Sequence, residues 1–279
     1  MLGRRFAIYH APNPNLPLRG LVVYVHPFAE EMNKSRRMAA LQARALAQAG
    51  FAVLQIDLLG CGDSAGDFGD ATWDLWVNDI VQACGWLRRL VRQDLLSDID
   101  LQPLWLWGLR GGCLLAAAAA TKLNTACNFL FWQPAASGKT LLQQFLRLKA
   151  AAEMASGGGK AILAELRQDI ERAHAVHVAG YWLHPDMAAG LEHATLRPPS
   201  PACMQASVIA RMVWLEVSTA VIPTLSPASA MAVSKWELAG YAQVSAAVHG
   251  PAFWQTVEIE DAPQLVDATL AHLSATSPP

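Results

Sequence analysis

The stretch LWLWGLRGGCLLAAAAA, residues 104–120, constrains the fold of this chain more than any other. Leu104–Trp107 is a short apolar run of the kind found in strands that are buried on both faces. Gly112–Leu123 is rich in alanine, the residue with the highest helix propensity. The glycines on either side of Arg110 allow a helix to pack closely against the strand that precedes it. A buried strand that leads directly into a helix predicts a parallel sheet covered by helices.

The same alternation of apolar runs and helical patterns recurs along most of the chain. Strands are predicted at Arg5–Tyr9, Leu21–Val25, Phe51–Asp57, Leu104–Trp107, Asn128–Phe131, Met212–Val217 and Gln243–Val248. Helices are predicted at Arg36–Gln48, Thr72–Val91, Gly112–Leu123, Ala230–Ala239 and Ala262–Leu273. This order predicts an α/β fold, with a mostly parallel central sheet and helices on both of its faces.

Residues 137–207 interrupt this alternation, because they contain helical patterns and no recognisable strand. Helices are predicted there at Leu141–Met154, Lys160–His174 and Pro185–His193. A helical insertion of this length between the late strands of a sheet is typical of a lid. We therefore expect the first part of the core at 1–136, a helical lid at 137–207 and the last part of the core at 208–279.

The composition is apolar, with 53% hydrophobic and 16% charged residues. The most apolar windows, residues 104–120 and 204–233, are interrupted by charged residues, and neither offers the roughly 20 uninterrupted apolar residues of a membrane span. The first residues lack the apolar core of a signal peptide, which predicts a cytoplasmic protein without a transmembrane segment. A net charge of −2 and the absence of a basic run argue against nucleic acid as a partner.

The cysteines and histidines give no clear metal-binding pattern. The five cysteines are odd in number and no pair has CxxC spacing, which predicts reduced thiols without zinc or a disulfide framework. His174 and His177 stand one turn apart on a predicted helix and could share a metal, but no carboxylate follows at ligand spacing. A solvated face is the favoured interpretation, and neither a metal nor a cofactor is predicted. The sequence does not indicate the oligomeric state.

The segment Gly62–Gly66 matches the pattern Gly-x-Ser-x-Gly, with Ser64 at its centre. That pattern indicates a nucleophile only where a strand leads through a tight turn into a helix. Here the strand is predicted to end near Asp57, and no helix begins at Ala65. A glycine-rich loop stabilised by polar side chains is therefore favoured.

The segment Gln133–Thr140 nearly matches the phosphate-binding pattern Gly-x-x-x-x-Gly-Lys-[Ser/Thr], between a predicted strand and a predicted helix. Gln133 replaces the first glycine of that pattern, and Pro134 removes a backbone donor. We favour a helix cap at Ser137 and a solvated Lys139 over nucleotide binding.

Arg110 stands at the tip of the turn between the predicted strand and helix of residues 104–120. The N-terminus of a helix favours anions, because its backbone N–H groups and its dipole point toward them. An arginine cannot serve as an acyl nucleophile, since its guanidinium stays protonated. It can instead hold a carboxylate or phosphate with two hydrogen bonds.

Several segments together resemble the α/β-hydrolase superfamily over nearly the whole chain. Val25–Phe28 resembles its oxyanion-loop segment, and Asp57–Ser64 resembles its Asp-x-x-Gly-x-Gly-x-Ser loop, which is usually structural. Gly108–Gly112 has the position of its nucleophile elbow. The resemblance implies an α/β-hydrolase fold in which a serine normally stands at the place of Arg110.

Within that superfamily, four segments resemble the exosortase A system-associated hydrolase 2 family: His26–Arg37, Trp107–Arg110, Trp132–Pro134 and Gly250–Trp254. The elbow of that family also carries arginine, so the resemblance implies that Arg110 is a family feature. It further implies an association with bacterial exosortase/PEP-CTERM protein sorting and with exopolysaccharide loci.

The resemblance allows each position of a Ser-His-Asp triad to be checked. Arg110 stands at the nucleophile position, and Glu216 is the acidic residue available on the strand after the lid. His249 precedes the expected position of the base, which Phe253 or Trp254 occupies. The triad is not intact, so the sequence leaves open whether the chain is an enzyme.

In the first functional hypothesis, Arg110 binds an anionic small molecule or the carboxylate of a peptide end, without covalent chemistry. Arg110 can also form an internal ion pair, because an unpaired buried charge costs several kcal/mol. The expected pocket residues are His26, Phe28, Leu109, Arg110, Gly111 and Phe253, and the candidate ion-pair partners are Glu30, Glu31 and Glu216.

In the second hypothesis, the chain is an ester or thioester hydrolase with a displaced nucleophile, for which Cys113, Ser64 and Ser218 are candidates. Cys113 begins a helix whose dipole could lower the pKa of its thiol, although a cysteine there is more often simply buried. A catalytically inactive scaffold for a protein partner is a third hypothesis, and nucleotide binding by Gln133–Thr140 is a fourth.

Overall fold

The computed structural model describes residues 3–95, 102–123, 125–152, 159–199 and 209–274. Its strands are β1 (Ala7–His10), β2 (Gly20–Val25), β3 (Phe51–Ile56), β4 (Leu104–Leu109), β5 (Asn128–Trp132), β6 (Val176–Val178), β7 (Tyr181–Leu183), β8 (Arg211–Ser218) and β9 (Ala242–His249). Its α-helices are α1 (Glu30–Gln48), α2 (Trp73–Leu95), α3 (Gly111–Lys122), α4 (Gly138–Ala152), α5 (Gly159–Glu171), α6 (Pro185–His193), α7 (Pro227–Leu238) and α8 (Pro263–Ser274). A short 3-10 helix spans Phe68–Asp70.

Seven strands form one sheet in the order β1-β3-β2-β4-β5-β8-β9. All neighbouring pairs are parallel except β1 with β3, which is antiparallel. Every residue of β2 and β4 is buried, which explains their uninterrupted apolar sequences. The predicted α/β-hydrolase fold with a mostly parallel central sheet is confirmed.

Helices cover both faces of this sheet. Trp105 and Trp107 of β4 lie in a core cluster with residues of α1 and α8. On the opposite face, Phe129 and Phe131 of β5 pack against Trp236 of α7, with ring centroids 4.9 and 5.2 Å away. Alternate residues of one strand therefore contact different helical layers, as the two-residue period of a strand requires.

The chain divides into two compact units. One consists of Ala7–Ile56, Ile80–Ala136 and Leu196–Pro279, and it contains the whole seven-stranded sheet. The other consists of Met1–Phe6, Asp57–Asp79 and Ser137–Thr195. The second unit therefore contains residues 137–195 of the predicted insertion together with the loop that follows β3.

Residues 137–195 contain the three predicted helices as α4, α5 and α6. The prediction that the insertion has no strand is wrong, because β6 and β7 form an antiparallel hairpin within it. Ala179 and Gly180 connect these strands, both with positive φ, which is the backbone of a type I′ turn. The role of this segment as a lid remains a prediction. Of the predicted insertion, Met154 and residues 200–207 lie outside the described residues.

Other helix boundaries differ from the predicted ones at particular residues. The first long helix begins at Glu30 and not at Arg36, because Ala29, with φ 50°, turns the chain directly into it after β2. The helix predicted to reach His174 ends at Glu171. Within the described residues, no helix combines the length and the apolarity needed to cross a membrane.

Candidate active site at the strand-turn-helix elbow

Arg110 occupies a sharp turn between β4 and α3, with φ 54° and ψ −116°. Its carbonyl accepts hydrogen bonds from the backbone N–H groups of Cys113 at 3.1 Å and Ala135 at 3.3 Å. A Cβ at Gly108 would lie 2.6 Å from the Cα atom of Cys113, and one at Gly112 would lie 2.2 Å from the carbonyl oxygen of Val25. The two glycines are therefore required by the close approach of helix and strand, and the segment has the geometry of an elbow.

Three residues with positive φ other than glycine follow neighbouring parallel strands. They are Ala29 after β2, Arg110 after β4 and Gln133 after β5. Such conformations are costly and cluster at functional sites, where the surrounding structure holds them. Gln133 is held by its side chain, whose Oε1 accepts the N–H of Val217 at 2.8 Å. The carboxyl edge of the sheet thus concentrates strained backbone at Arg110 and on both sides of it.

The Arg110 guanidinium forms an ion pair with Glu31, with 3.2 Å between Nε and Oε1. Both side chains are largely buried, at 17% exposed for Arg110 and 12% for Glu31. The guanidinium carbon also lies 5.6 Å from the ring centroid of Trp254, within the range of a cation–π contact. Arg110 therefore meets a carboxylate of the protein itself and an aromatic face.

Glu31 is a buried carboxyl group with incomplete hydrogen bonding. Burial raises its pKa from 4.5 to about 7, and the attraction of Arg110 only partly opposes that effect. Burial also raises the pKa of Glu30. Among the described residues, neither Oε2 of Glu30 nor Oε2 of Glu31 has a hydrogen-bond partner. The elbow thus holds one guanidinium beside carboxyl groups that resist ionisation.

The remaining predicted pocket residues form the buried surroundings of the elbow. His26, Phe28, Leu109 and Phe253 are each no more than 5% exposed, and Gly111 is also buried. The ring nitrogen Nδ1 of His26 donates to the carbonyl oxygen of Pro27 at 2.8 Å. These residues form buried packing around the elbow, and one ring nitrogen of His26 is hydrogen-bonded to the backbone.

Cys113 is fully buried, and its thiol lies 3.8 Å from the carbonyl oxygen of Trp132. Burial raises the pKa of this thiol well above its usual value. The structure agrees with the favoured interpretation of Cys113 as a buried residue, because the loss of solvation outweighs any lowering of the pKa by the helix dipole. Cys113 is therefore a buried residue of the core.

Ser64 stabilises the loop after β3. Its hydroxyl donates to the carbonyl oxygen of Asp57 and accepts the backbone N–H of Phe6 at 2.9 Å. No helix begins at Ala65, and the next element is the 3-10 helix at Phe68–Asp70. The segment lacks the strand-turn-helix context in which the Gly-x-Ser-x-Gly pattern places a nucleophile.

Glu216 and His249 occupy neighbouring strands at the end of the sheet. Glu216 is buried, and its Oε1 accepts the indole N–H of Trp214 at 2.8 Å. His249 is the exposed last residue of β9, in register with Ser218 of β8. The hydroxyl of Ser218 accepts the backbone N–H of Ala220 at 3.1 Å. Glu216 and Ser218 are thus hydrogen-bonded within the protein, and His249 is exposed to solvent.

The segment that resembles a phosphate-binding loop is closed by backbone contacts. The N–H of Gly138 donates to the carbonyl oxygen of Ala194 at 2.9 Å, and a Cβ at Gly138 would meet the carbonyl oxygen of Leu191. The Ser137 hydroxyl accepts the N–H of Thr140 at 3.4 Å, the helix cap that the sequence favours. Two backbone N–H groups that a phosphate would need, those of Gly138 and Thr140, are thus engaged within the protein.

The pair His174 and His177 does not share a helix, contrary to the prediction. His174 follows the end of α5 and lies 3.9 Å from a carboxylate oxygen of Asp169. His177 belongs to β6, where its ring centroid lies 5.1 Å from that of Trp182. No group of metal-ligating side chains exists among the residues that the structure describes.

Sequence reasoning missed two contributors to the elbow. Trp254 was noted at the position of the base, but its contact with the guanidinium of Arg110 depends on the folding of distant segments. Gln133 was noted only as a defect in a phosphate-binding pattern, whereas its positive φ and its bond to Val217 stabilise the sheet edge. Nothing in the local sequence signals either role.

Comparison with solved structures shows which fold the chain shares with other proteins. Est1E from Butyrivibrio proteoclasticus, solved with ferulic acid bound, superposes with a TM-score of 0.64 and 16% identity over 97% of this chain and 94% of its own. XC6422 from Xanthomonas campestris is described as an α/β serine hydrolase without lid. It superposes with a TM-score of 0.52 and 15% identity over 98% of this chain and 88% of its own. A carboxylesterase structure from Nitrososphaera gargenis superposes with a TM-score of 0.53 and 14% identity over 97% of this chain and 94% of its own. The fold is that of the α/β hydrolases.

A family model described as serine aminopeptidase, S33, matches residues 17–163, more than half of the chain. The chain therefore belongs to this family of α/β hydrolases. No curated protein shows significant sequence similarity to the chain. The exosortase-associated group within the superfamily stays a prediction.

Proposed function

We propose that this α/β-hydrolase family member binds the anionic group of a small molecule or of a peptide end at Arg110, without covalent catalysis. The observation that carries the proposal is a guanidinium at the tip of a well-formed elbow, where the family pattern places a nucleophile. A guanidinium favours a planar carboxylate or phosphate, which it can bind with two parallel hydrogen bonds.

The neighbouring groups support binding of an external anion. Glu31 is the internal counter-ion of Arg110, but its raised pKa means that this carboxyl is partly protonated near neutral pH. Trp254 offers an aromatic surface beside the guanidinium. An arriving carboxylate would meet the positive charge of Arg110, together with an apolar wall for an attached ring or chain.

The alternative of a displaced nucleophile has weaker support. Membership of a hydrolase family and the likeness to esterases favour it in general. However, fold alone does not define activity. Cys113 has a buried thiol with a raised pKa, and the Ser64 hydroxyl is bonded to the backbone on both sides.

The resemblance of His26–Arg37 and Gly250–Trp254 to exosortase-associated hydrolases supports placing the function within that group. In such a setting, the anionic ligand would be a carboxylate or phosphate of a sorting or exopolysaccharide intermediate. A scaffold role toward a protein partner is compatible with this proposal, because a peptide end also carries a carboxylate.

Titration calorimetry with ferulate and phosphate tests the proposal. We expect Arg110→Gln to weaken anion binding at this site by about tenfold or more, since a charge-assisted hydrogen bond contributes about 1.5–3 kcal/mol. Arg44→Gln, an exposed change on α1, provides the matched control. Equal affinities in the wild type and the Arg110→Gln variant would refute Arg110 as the anion site.

An ester-hydrolysis assay tests the non-catalytic half of the proposal. We expect turnover of short p-nitrophenyl esters at the background rate in the wild type. Turnover that disappears in Cys113→Ala or Ser64→Ala, with folding verified by circular dichroism, would replace the proposal with the displaced-nucleophile hypothesis.

A further inference from the structure

We propose that a cavity between α4 and α5 is a second binding site, distinct from Arg110, for a small organic anion that carries an apolar group. The cavity has a volume of about 160 Å³ and is lined by Gln143, Leu146, Arg147, Leu163 and Arg167. None of these residues belongs to a motif that the sequence analysis singled out, and the site does not depend on the function proposed for the elbow.

The helical period explains how these side chains meet. Gln143, Leu146 and Arg147 are separated by three and four positions on α4, so they share one face of that helix. Leu163 and Arg167 are four positions apart on α5 and likewise share a face. Each helix therefore contributes one leucine and one arginine, and α4 adds an amide.

The two guanidinium groups lack a counter-ion in the part of the chain that the structure describes. Neither Arg147 nor Arg167 forms an ion pair or hydrogen bond with another described residue. Helix α4 contains three basic residues and no acidic one. Two like charges that line one cavity repel each other, so an anion bound there gains from both.

The acidic residues of α5 do not neutralise this cavity. Asp169 lies 3.9 Å from His174, and Glu165 lies about 200° around the helix from Leu163, on its far side. Glu171 is one turn beyond Arg167, but it is exposed and forms no ion pair within the described residues. Among the described residues, the lining of the cavity is thus positive, and Leu146 and Leu163 supply its apolar part.

Size and chemistry together define the class of ligand. The cavity is partly open to solvent, and Arg147 is exposed at its side. A volume of about 160 Å³ has room for a single ring or a short branched chain. The two guanidinium groups and the NH2 group of Gln143 supply hydrogen-bond donors for a carboxylate or phosphate. The matching ligand is a benzoate-sized carboxylate or phosphate ester, with its ring between the leucines and its anionic group at the arginines.

Titration of the full chain with benzoate tests this site. The experiment is performed in the Arg110→Gln background, so that binding at the elbow does not contribute. We expect saturable binding that weakens by about tenfold in Arg147→Gln and again in Arg167→Gln, because each removes a charge-assisted contact. The control Arg172→Gln changes the same charge at an exposed position after α5 and should leave the affinity unchanged.

Three further probes separate the contributions of charge and cavity. Phenyl phosphate should bind at least as tightly as benzoate, whereas benzyl alcohol and inorganic phosphate should each bind at least about tenfold more weakly. The Leu163→Phe variant fills the cavity while keeping both arginines, and it should also lose benzoate. No benzoate binding at millimolar concentration, or equal binding by the double arginine variant, overturns the proposal. Equal affinity for benzyl alcohol or for inorganic phosphate does so as well.

Discussion

Arg110 combines the backbone of a nucleophile elbow with a side chain that cannot act as a nucleophile. The positive φ of this residue and the two flanking close contacts show that the turn itself is preserved. The guanidinium is compensated by Glu31, 79 positions away in the sequence. A charge this deeply buried would be costly without a partner. The ion pair therefore explains how the elbow tolerates an arginine.

The raised pKa of Glu31 gives a testable pH dependence of stability. The folded protein keeps a proton on Glu31 up to about pH 7, whereas the unfolded chain releases it near its ordinary value of 4.5. The free energy of unfolding should therefore fall as the pH rises between these values, by up to about 3 kcal/mol. Urea denaturation of the wild type and Glu31→Gln at several pH values should show this slope only in the wild type.

The matched control for that measurement is Glu237→Gln, which changes an exposed carboxyl group on α7. It should retain the pH dependence of the wild type. If Glu31→Gln also retained it, Glu31 would not be the group that holds the proton.

The same titration should control anion binding at Arg110. An ionised Glu31 competes with an external carboxylate for the guanidinium, whereas a protonated Glu31 competes less. The protonated fraction falls about tenfold between about pH 6 and about pH 8 for a pKa of about 7, so affinity for ferulate should fall by a similar factor. Calorimetry should find this dependence in the wild type and not in Glu31→Gln, and the reverse dependence would contradict the proposed competition.

At the residue scale, the sequence predicted the place of Arg110 and a set of three possible counter-ions. It could not choose Glu31, because that choice depends on how the start of α1 lies beside the turn after β4. It also suggested that a helix dipole could lower the pKa of Cys113. The buried position of that thiol, which local sequence does not define, reverses the direction.

Among the elements, the contact between β4, α3 and the end of β2 depends on two glycines. Gly112→Ala would place a Cβ 2.2 Å from the carbonyl oxygen of Val25, so backbone must move. We expect a loss of about 1–3 kcal/mol or more in the free energy of unfolding, measured by urea denaturation.

A second glycine provides the control for this prediction. A Cβ at Gly85, within α2, would meet its nearest atom, Nη1 of Arg89, at 3.4 Å. Because alanine favours a helix more than glycine does, Gly85→Ala should be neutral or stabilise the protein by up to about 1 kcal/mol. Similar destabilisation in both variants would show that the elbow has no special requirement for Gly112.

Elements with strong periodicity were predicted well, and short or atypical ones were not. Helix α6 has the predicted bounds, Pro185–His193, with proline at its first position. The hairpin of β6 and β7 was missed, because its strands have three residues each and Ala179 replaces the usual asparagine or aspartate of a type I′ turn. The start of α1 was missed because its first turn is charged and polar.

For the whole molecule, the likeness to other α/β hydrolases is much clearer in the fold than in the sequence. The chain superposes on Est1E with a TM-score of 0.64 at only 16% identity. Such a fold requires buried strands, glycines at the elbow and helices on both faces, all of which are compatible with many sequences. The catalytic groups are a separate requirement, since the fold hosts them without depending on them.

Placing a serine at position 110 should therefore not by itself produce esterase activity. In the double variant Arg110→Ser/Glu31→Gln, the ion pair is removed from both sides, so no buried charge of that pair is left alone. The new hydroxyl would still lack an oriented base, because His249 is exposed as the last residue of β9. Glu216, the candidate acid, is bonded to Trp214.

We expect the double variant to hydrolyse p-nitrophenyl acetate at the background rate, as the wild type should. A hydroxyl without a general base in hydrogen-bond reach is a weak nucleophile, and catalysis needs both groups in place. The decisive comparison adds His249→Ala to the double variant. Turnover well above background that disappears with His249→Ala would show that the relay is intact except for its nucleophile, and that Arg110 alone separates this chain from an active hydrolase.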